Sequence, residues 1–156
     1  MKINKLIIPA LSLSLLFSCG GNSNNASSDG PKTPPKSMIA DEVDPMDNIG
    51  VGPITEAITL PETIDEAMAA EGKEVYEAMC TACHKPDKKF VGPAPAGITD
   101  RRNPTWIMNM ILDPEKMTKE DPVAKKLLIE YNGAPMANQG LTQEQARAIL
   151  EYFRTL

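Results

Sequence analysis

Aromatic residues are scarce in this sequence of 156 residues. Three Phe, three Tyr and one Trp make 4% of the chain, although apolar residues overall reach an ordinary 42%. No strand-like alternation of any length is present, which argues against a sheet-based fold. The length suits one domain with an appendage and excludes an enzyme built on a large sheet or barrel. Something other than aromatic rings is therefore expected to fill part of the core.

Positive charge is also in short supply. Lys and Arg number 16 against 21 Asp and Glu, which gives a formal net charge of −5. A protein that binds nucleic acid must neutralise phosphates with a basic surface. This charge balance argues against nucleic acid as a partner.

The N-terminal apolar run is too short to cross a membrane. It occupies residues 6–17 after Lys2 and Lys5, whereas a spanning helix needs about 20 residues. Residues 1–19 are therefore predicted to be an export signal. The segment 16–19, which ends at Cys19, resembles a bacterial lipoprotein box, and this resemblance implies that Cys19 is acylated. Acylation would hold the protein on the periplasmic side of the inner or the outer membrane.

A polar segment follows the export signal. Residues 20–60 are rich in Gly, Asn, Ser and Pro and show no lasting periodicity, so they are predicted to form a flexible tether with an r.m.s. span of about 35 Å. The stretch 49–60 is more apolar, with Ile54, Ile58 and Leu60. Whether that stretch packs on the following domain stays open at this stage.

Residues 61–156 are predicted to form an all-α domain with about four short helices. The first helix is expected over 64–79 with Thr63 as its N-cap, and a capping box of Thr142 and Gln145 predicts a last helix to Phe153. Two further helices are expected over 106–112 and 123–131, after Pro104 and Pro122.

The Cys-Thr-Ala-Cys-His segment at residues 80–84 has the spacing of a c-type haem attachment site. Cys80 and Cys83 would bond to the two vinyl groups of one haem, and His84 would ligate its iron. A structural zinc site is an alternative, but it needs four protein ligands, and only these three remain if Cys19 is acylated. A thioredoxin-like redox pair of Cys80 and Cys83 is a second alternative. That motif belongs near a βαβ pattern, and this sequence shows no such pattern. One covalent haem c is therefore the predicted cofactor.

The domain resembles class I cytochrome c, a small helical monohaem electron carrier, over residues 62–156. The matching pieces are Gly72 and Tyr76, the 80–84 motif, Val91-Gly92-Pro93, Pro135-Met136, and Tyr152 with Phe153.

This resemblance implies roles for individual residues. It implies that the first and last helices cross at Gly72 and Tyr76, against Tyr152 or Phe153. It implies that the Pro93 carbonyl orients the haem-binding His. It also implies that Trp106 and Arg101 or Arg102 hydrogen-bond haem propionates, with a core Trp and solvated Arg side chains as the alternative.

The sixth iron ligand is either Met or absent, because His84 is the only His in the chain. Met136 is the predicted ligand, since it lies in a Pro-containing loop before the last helix, 52 residues after His84. Met117 and Met110 are the leading substitutes. The resembling family has Met before Pro here, and this sequence reverses that order.

Ligation by His and Met saturates the iron and suits electron transfer rather than catalysis. The expected function is a one-electron carrier, not an enzyme, between a membrane quinol-oxidising complex and a terminal reductase or oxidase. Segments 88–93, 101–107 and 134–139 are similar to small cytochromes that accompany nitrous-oxide reductases. The alternative is an open-site haem enzyme or gas sensor, such as a peroxidase-like domain. Lys85, Lys88 and Lys89 follow the haem-binding His and could steer an acidic redox partner.

Overall fold

The computed structural model describes residues 44–156, so the predicted export signal, the lipidation at Cys19 and the first part of the tether lie outside the described residues. The described part contains a 3-10 helix and five α-helices and no strand, which confirms the all-α prediction. They are α1 (Glu66–Met79), the 3-10 helix Ile98–Asp100, α2 (Pro104–Leu112), α3 (Pro114–Glu120), α4 (Pro122–Glu130) and α5 (Gln143–Phe153). None of the helices within 44–156 is long and apolar enough to cross a membrane.

Three successive helices begin with the same N-capping arrangement. Each of α2, α3 and α4 has Pro as its first residue and an Asn or Asp as its N-cap, whose side chain accepts a backbone N–H of the first turn: Asn103, Asp113 and Asp121. Proline suits this position because its φ is already helical and its missing N–H would have no partner there. The prediction of four helices omitted α3, whose charged sequence carries a single large apolar residue, Met117.

The two terminal helices start in different ways. The first turn of α1 is capped by Asp65, whose side chain accepts the Met68 N–H at 3.0 Å, so the predicted Thr63 cap is wrong and the helix begins two residues later than expected. The predicted capping box of α5 is confirmed, because Thr142 and Gln145 each accept the other's backbone N–H.

Helices α1 and α5 cross at Gly72, where no side chain would fit. A Cβ at Gly72 would lie 1.9 Å from the Ala148 carbonyl oxygen. Beside this crossing the Tyr76 ring lies 5.4 Å from Tyr152 and 5.7 Å from Phe153, centroid to centroid. The expected Gly and aromatic contact between the first and last helices is therefore present, with both aromatic partners rather than one.

Residues 44–60, called here the N-terminal strap, pack on the helices. Apolar side chains of the strap contact the core: Val51, Ile54, Ile58 and Leu60. The buried Asn109 side chain on α2 accepts the Ile54 N–H and donates to the carbonyls of Ile49 and Ile54. The buried Thr105 hydroxyl accepts the Ile58 N–H at 2.7 Å. These polar side chains provide hydrogen-bond partners for backbone N–H and carbonyl groups of the strap. The prediction of a flexible tether as far as residue 60 is therefore wrong for residues 44–60, which pack on the helices.

Candidate haem site

A cavity of about 610 Å³ lies between the helices and the loops that join them. This is within the usual size of a cofactor site, about 300 to 1,000 Å³. Its walls are mostly apolar, and they include side chains from α1, α2, α4 and α5 and from both long loops. Among the lining residues are Cys80, Cys83, His84, Pro93, Arg101, Trp106, Ile107, Met110, Leu127, Leu128, Met136 and Phe153.

The attachment motif forms a tight turn directly after α1. The N–H groups of Cys83 and His84 both donate to the Cys80 carbonyl, at 3.0 and 2.9 Å. This turn brings two thiols and an imidazole to the same cavity. Burial raises the pKa of the half-buried Cys80 thiol, and the neighbouring Cys83 raises it further. The sequence prediction that these three side chains act on one group therefore has a suitable geometry.

The His84 ring is held from two sides. Its Nδ1 lies 2.8 Å from the Pro93 carbonyl oxygen, so Nδ1 carries the proton and donates it, and Nε2 keeps a lone pair that is available to a metal. On the other side, a Cβ at Gly92 would lie 2.4 Å from His84 Cε1. The Gly92 N–H donates to the Cys83 carbonyl, and Tyr76 Oη donates to the His84 carbonyl. The loop and α1 together fix the ring.

Trp106 is placed differently from the role that the resemblance implied. Its ring lines the cavity, but its one N–H donates to the buried Asp121 carboxylate at 3.0 Å and is not free for a propionate. Arg102 stacks on the indole, 5.5 Å from the centroid, and Arg101 lines the cavity while donating to the Ala94 carbonyl at 3.4 Å. Both Arg side chains therefore contribute positive charge to the cavity lining.

The structure separates the candidate Met ligands. Met136 is half-buried and lines the cavity, as does Met110. Met117 is fully buried, and its Sδ accepts the Val51 N–H of the strap at 3.2 Å. Met117 is not part of the cavity wall and is removed from the candidates. Met79, next to Cys80, lines the cavity as well.

The alternative of a zinc site receives no support from side-chain geometry. Within residues 44–156, no three His, Cys, Asp or Glu side chains are grouped so that they could hold a metal ion.

The protein-family model described as Cytochrome c matches residues 69–156. This chain belongs to the cytochrome c family. It therefore carries covalently bound haem c, consistent with Cys80 and Cys83 in the attachment motif, and its general function is haem-based electron transfer. The dimensions and apolar walls of the cavity fit that group.

Solved structures of related proteins support this membership. A cytochrome c from Rhodothermus marinus is 46% identical, with a TM-score of 0.63 over 67% of this chain and 88% of that chain. An engineered form of it, bound to a carbene intermediate, is 45% identical, with a TM-score of 0.61 over 67% of this chain and 88% of that one. A cytochrome c domain from Pseudomonas putida is 26% identical, with a TM-score of 0.50 over 54% and 85%. No match was found among curated proteins.

Asp121 is the site residue that sequence reasoning missed. It accepts hydrogen bonds from Trp106 and from the Ala124 N–H, and so joins the cavity wall to the start of α4. The signal for its capping role was present in the Asp-Pro pair at 121–122. Nothing in the sequence pattern indicated its contact with the indole, because that contact joins two different helices.

Proposed function

We propose that this cytochrome c is a one-electron carrier in which His84 Nε2 and Met136 Sδ would bind the haem iron. The observation that carries the proposal is the environment of His84. Its Nδ1 is engaged by the Pro93 carbonyl at 2.8 Å, and the other ring nitrogen belongs to a cavity that Met136 also lines. The chain thus offers one imidazole and one loop thioether to a single apolar cavity.

Met136 is a better ligand candidate than Met110 because of what surrounds each of them. Met110 lies on α2 and packs against the hydrophobic core, so its side chain already has a structural role. Met136 lies in the loop between α4 and α5 and is not part of that core. A loop thioether outside the hydrophobic core can approach the iron at little cost in core packing.

Saturated iron favours electron transfer over chemistry at the metal. The surrounding residues support electron transfer because they limit the structural rearrangement that accompanies a change of oxidation state. Pro93 and Gly92 hold the imidazole, and apolar side chains such as Ile107 and Leu127 exclude water. Iron bound in this way has a raised reduction potential compared with haem lacking a Met ligand.

Carbon monoxide binding to the reduced, haem-loaded protein tests this function. We expect slow or negligible binding in the native protein and fast binding in Met136→Ala. Met117→Leu is the matched control, because it removes a thioether that lies outside the cavity. Rapid binding by the native protein would favour the open-site enzyme or gas sensor instead.

The proposed cellular setting rests on the sequence of the N-terminus. Cytochromes c of bacteria are usually exported to the periplasm, and the lipoprotein box at Cys19 supports attachment to a membrane there. A tethered carrier of this kind would take electrons from a quinol-oxidising complex and deliver them to a terminal reductase or oxidase. Nitrous-oxide reductase is the specific acceptor that the similar segments support. Cys19→Ser should move the protein from the membrane fraction to the soluble periplasmic fraction.

The surface at the cavity mouth supports docking of an acidic partner. Lys88, Lys89 and Val91 line the mouth, and the Lys85 ammonium lies 5.2 Å from the centroid of the Phe90 ring, which is 52% exposed. A protein that is acidic overall therefore presents a local basic and apolar surface beside the haem. Such a surface acts mainly on the encounter rate, and salt weakens its effect.

Charge reversal tests this docking surface. Changing Lys85, Lys88 and Lys89 to Glu should slow electron transfer to an acidic partner at low ionic strength, with the difference shrinking at high salt. The matched control reverses three exposed Lys residues that do not line the cavity: Lys73, Lys116 and Lys119. Equal rates for the two triple variants would reject the docking surface.

A further inference from the structure

A buried carboxylate lies directly behind the cavity wall. Asp121 is 3% exposed and lies between α3 and α4. Its Oδ1 accepts from Trp106 Nε1 at 3.0 Å and from the Ala124 N–H at 2.7 Å, and its Oδ2 accepts from Asn48 Nδ2 at 2.8 Å. Among residues 44–156, no Lys or Arg nitrogen lies within 4.0 Å of it.

The three partners of Asp121 are all neutral hydrogen-bond donors. Both carboxylate oxygens therefore act as acceptors, which is the role of an ionised carboxylate. Neutral donors stabilise the charge without cancelling it. Because the group is buried, its field is screened less than that of a surface charge.

We propose that Asp121 is a residue that sets the reduction potential of the haem, acting through Trp106. Oxidised haem carries one more positive charge than reduced haem, so a nearby fixed negative charge stabilises the oxidised state and lowers the potential. The Trp106 ring lines the cavity while its N–H binds Asp121, so a single side chain separates the carboxylate from the cofactor site. The half-buried Arg102, 5.5 Å from the same ring, opposes part of this effect.

The strap contributes to this arrangement through Asn48. The Asn48 side chain donates to Asp121 while its own Oδ1 accepts the Gly50 N–H at 2.8 Å. The amide is thereby held with its donor towards the carboxylate. The strap thus helps to keep the charge buried and hydrogen-bonded, a role separate from any use as a tether.

Equilibrium redox titration of the haem-loaded protein tests the proposal, whichever residue is the sixth ligand. Asp121→Asn keeps the size and capping ability of the side chain and removes its charge. We expect the equilibrium between reduced and oxidised protein to shift about tenfold towards the reduced form, which is about 59 mV for one electron. The control is Asp113→Asn, which removes the same charge from the less deeply buried N-cap of α3. Equal potentials for the two variants would overturn the proposal.

A reciprocal exchange removes the risk that Asp121→Asn fails to fold. In the double variant Asn48→Asp with Asp121→Asn, the amide of residue 121 would donate to the new carboxylate, and the Gly50 N–H would keep its acceptor. The hydrogen bonds that residue 121 accepts from Trp106 and Ala124 would also persist. The negative charge would then lie on residue 48, with the side chain of residue 121 between it and Trp106. We expect an unchanged absorption spectrum with a raised potential. An unchanged potential in this folded variant would overturn the proposal, and it would leave the electron-carrier function untouched.

Discussion

Gly72→Ala is expected to separate the two helices that hold the fold together. A Cβ at this position would lie 1.9 Å from the Ala148 carbonyl oxygen, where ordinary contact begins at 3.4 Å. The Ala148 carbonyl is a backbone group and cannot rotate away as a side chain could. Helices α1 and α5 must therefore move apart by about 1.5 Å, the difference between 3.4 and 1.9 Å, in a close-packed interior. The same movement loosens the packing of Tyr76 against Tyr152 and Phe153.

The size of the effect follows from three contributions. Overpacking against an immobile group costs about 3 kcal/mol, at the upper end of its usual range. Weakened aromatic contacts around Tyr76 add about 1 kcal/mol. The higher helix propensity of Ala than of Gly offsets about 1 kcal/mol of this loss. The net loss is about 3 kcal/mol, or about 12 °C in Tm for a domain of this size.

Thermal unfolding of the haem-loaded protein, followed by circular dichroism, measures this loss. Ala70→Gly is the matched control, because Ala70 is exposed on the same helix and only its propensity changes. That variant should lose about 1 kcal/mol, or roughly 4 °C. If Gly72→Ala is as stable as the native protein or more stable, helix propensity dominates at this site and the proposed close crossing is refuted.

Two further predictions concern the His84 ring and a buried acid. Gly92→Ala would place a Cβ 2.4 Å from His84 Cε1, so we expect a displaced imidazole and a partly high-spin ferric spectrum; an unchanged spectrum would show that the loop can yield. Glu151 is fully buried between Arg147 and Arg154. Burial raises the pKa of its carboxyl group. Hydrogen bonds from Asp65 and Arg147 and the charges of both Arg residues lower this pKa by more, so the net pKa is below the usual 4.5. Its stabilisation is therefore present above about pH 4.5 and is lost as the pH falls through its lowered pKa. Glu151→Gln should cost about 3 kcal/mol in urea unfolding at pH 7 and distinctly less at pH 3; a difference that does not depend on pH would contradict this role.

Local signals in the sequence were sufficient for most of the helices and for the attachment site. The capping box at Thr142, the Pro residues that open α2 and α4, and the 80–84 motif each depend on neighbours along the chain. The same kind of signal was present at Asp113-Pro114, but the charged sequence that follows has no apolar periodicity, and α3 was not predicted.

Contacts between distant segments were beyond the reach of sequence patterns. The strap is held by Asn109 and Thr105, two polar residues inside an otherwise apolar helix, and neither had a visible partner in the sequence. The role of Trp106 differs from the expected one for the same reason, since its partner Asp121 lies 15 residues away at the N-cap of α4. Met117 was removed from the ligand candidates by a contact with Val51, 66 residues away.

The absorption spectrum of the ferric, haem-loaded protein tests His84 and Met136 ligation most directly. A Met sulfur on ferric haem gives a weak characteristic band, which we expect in the native protein and in Met110→Leu. The band should be lost in Met136→Ala, with the haem still covalently attached through Cys80 and Cys83. A band that persists in Met136→Ala and disappears in Met110→Leu would assign the ligand to α2, and a high-spin native spectrum without the band would contradict the His and Met carrier altogether.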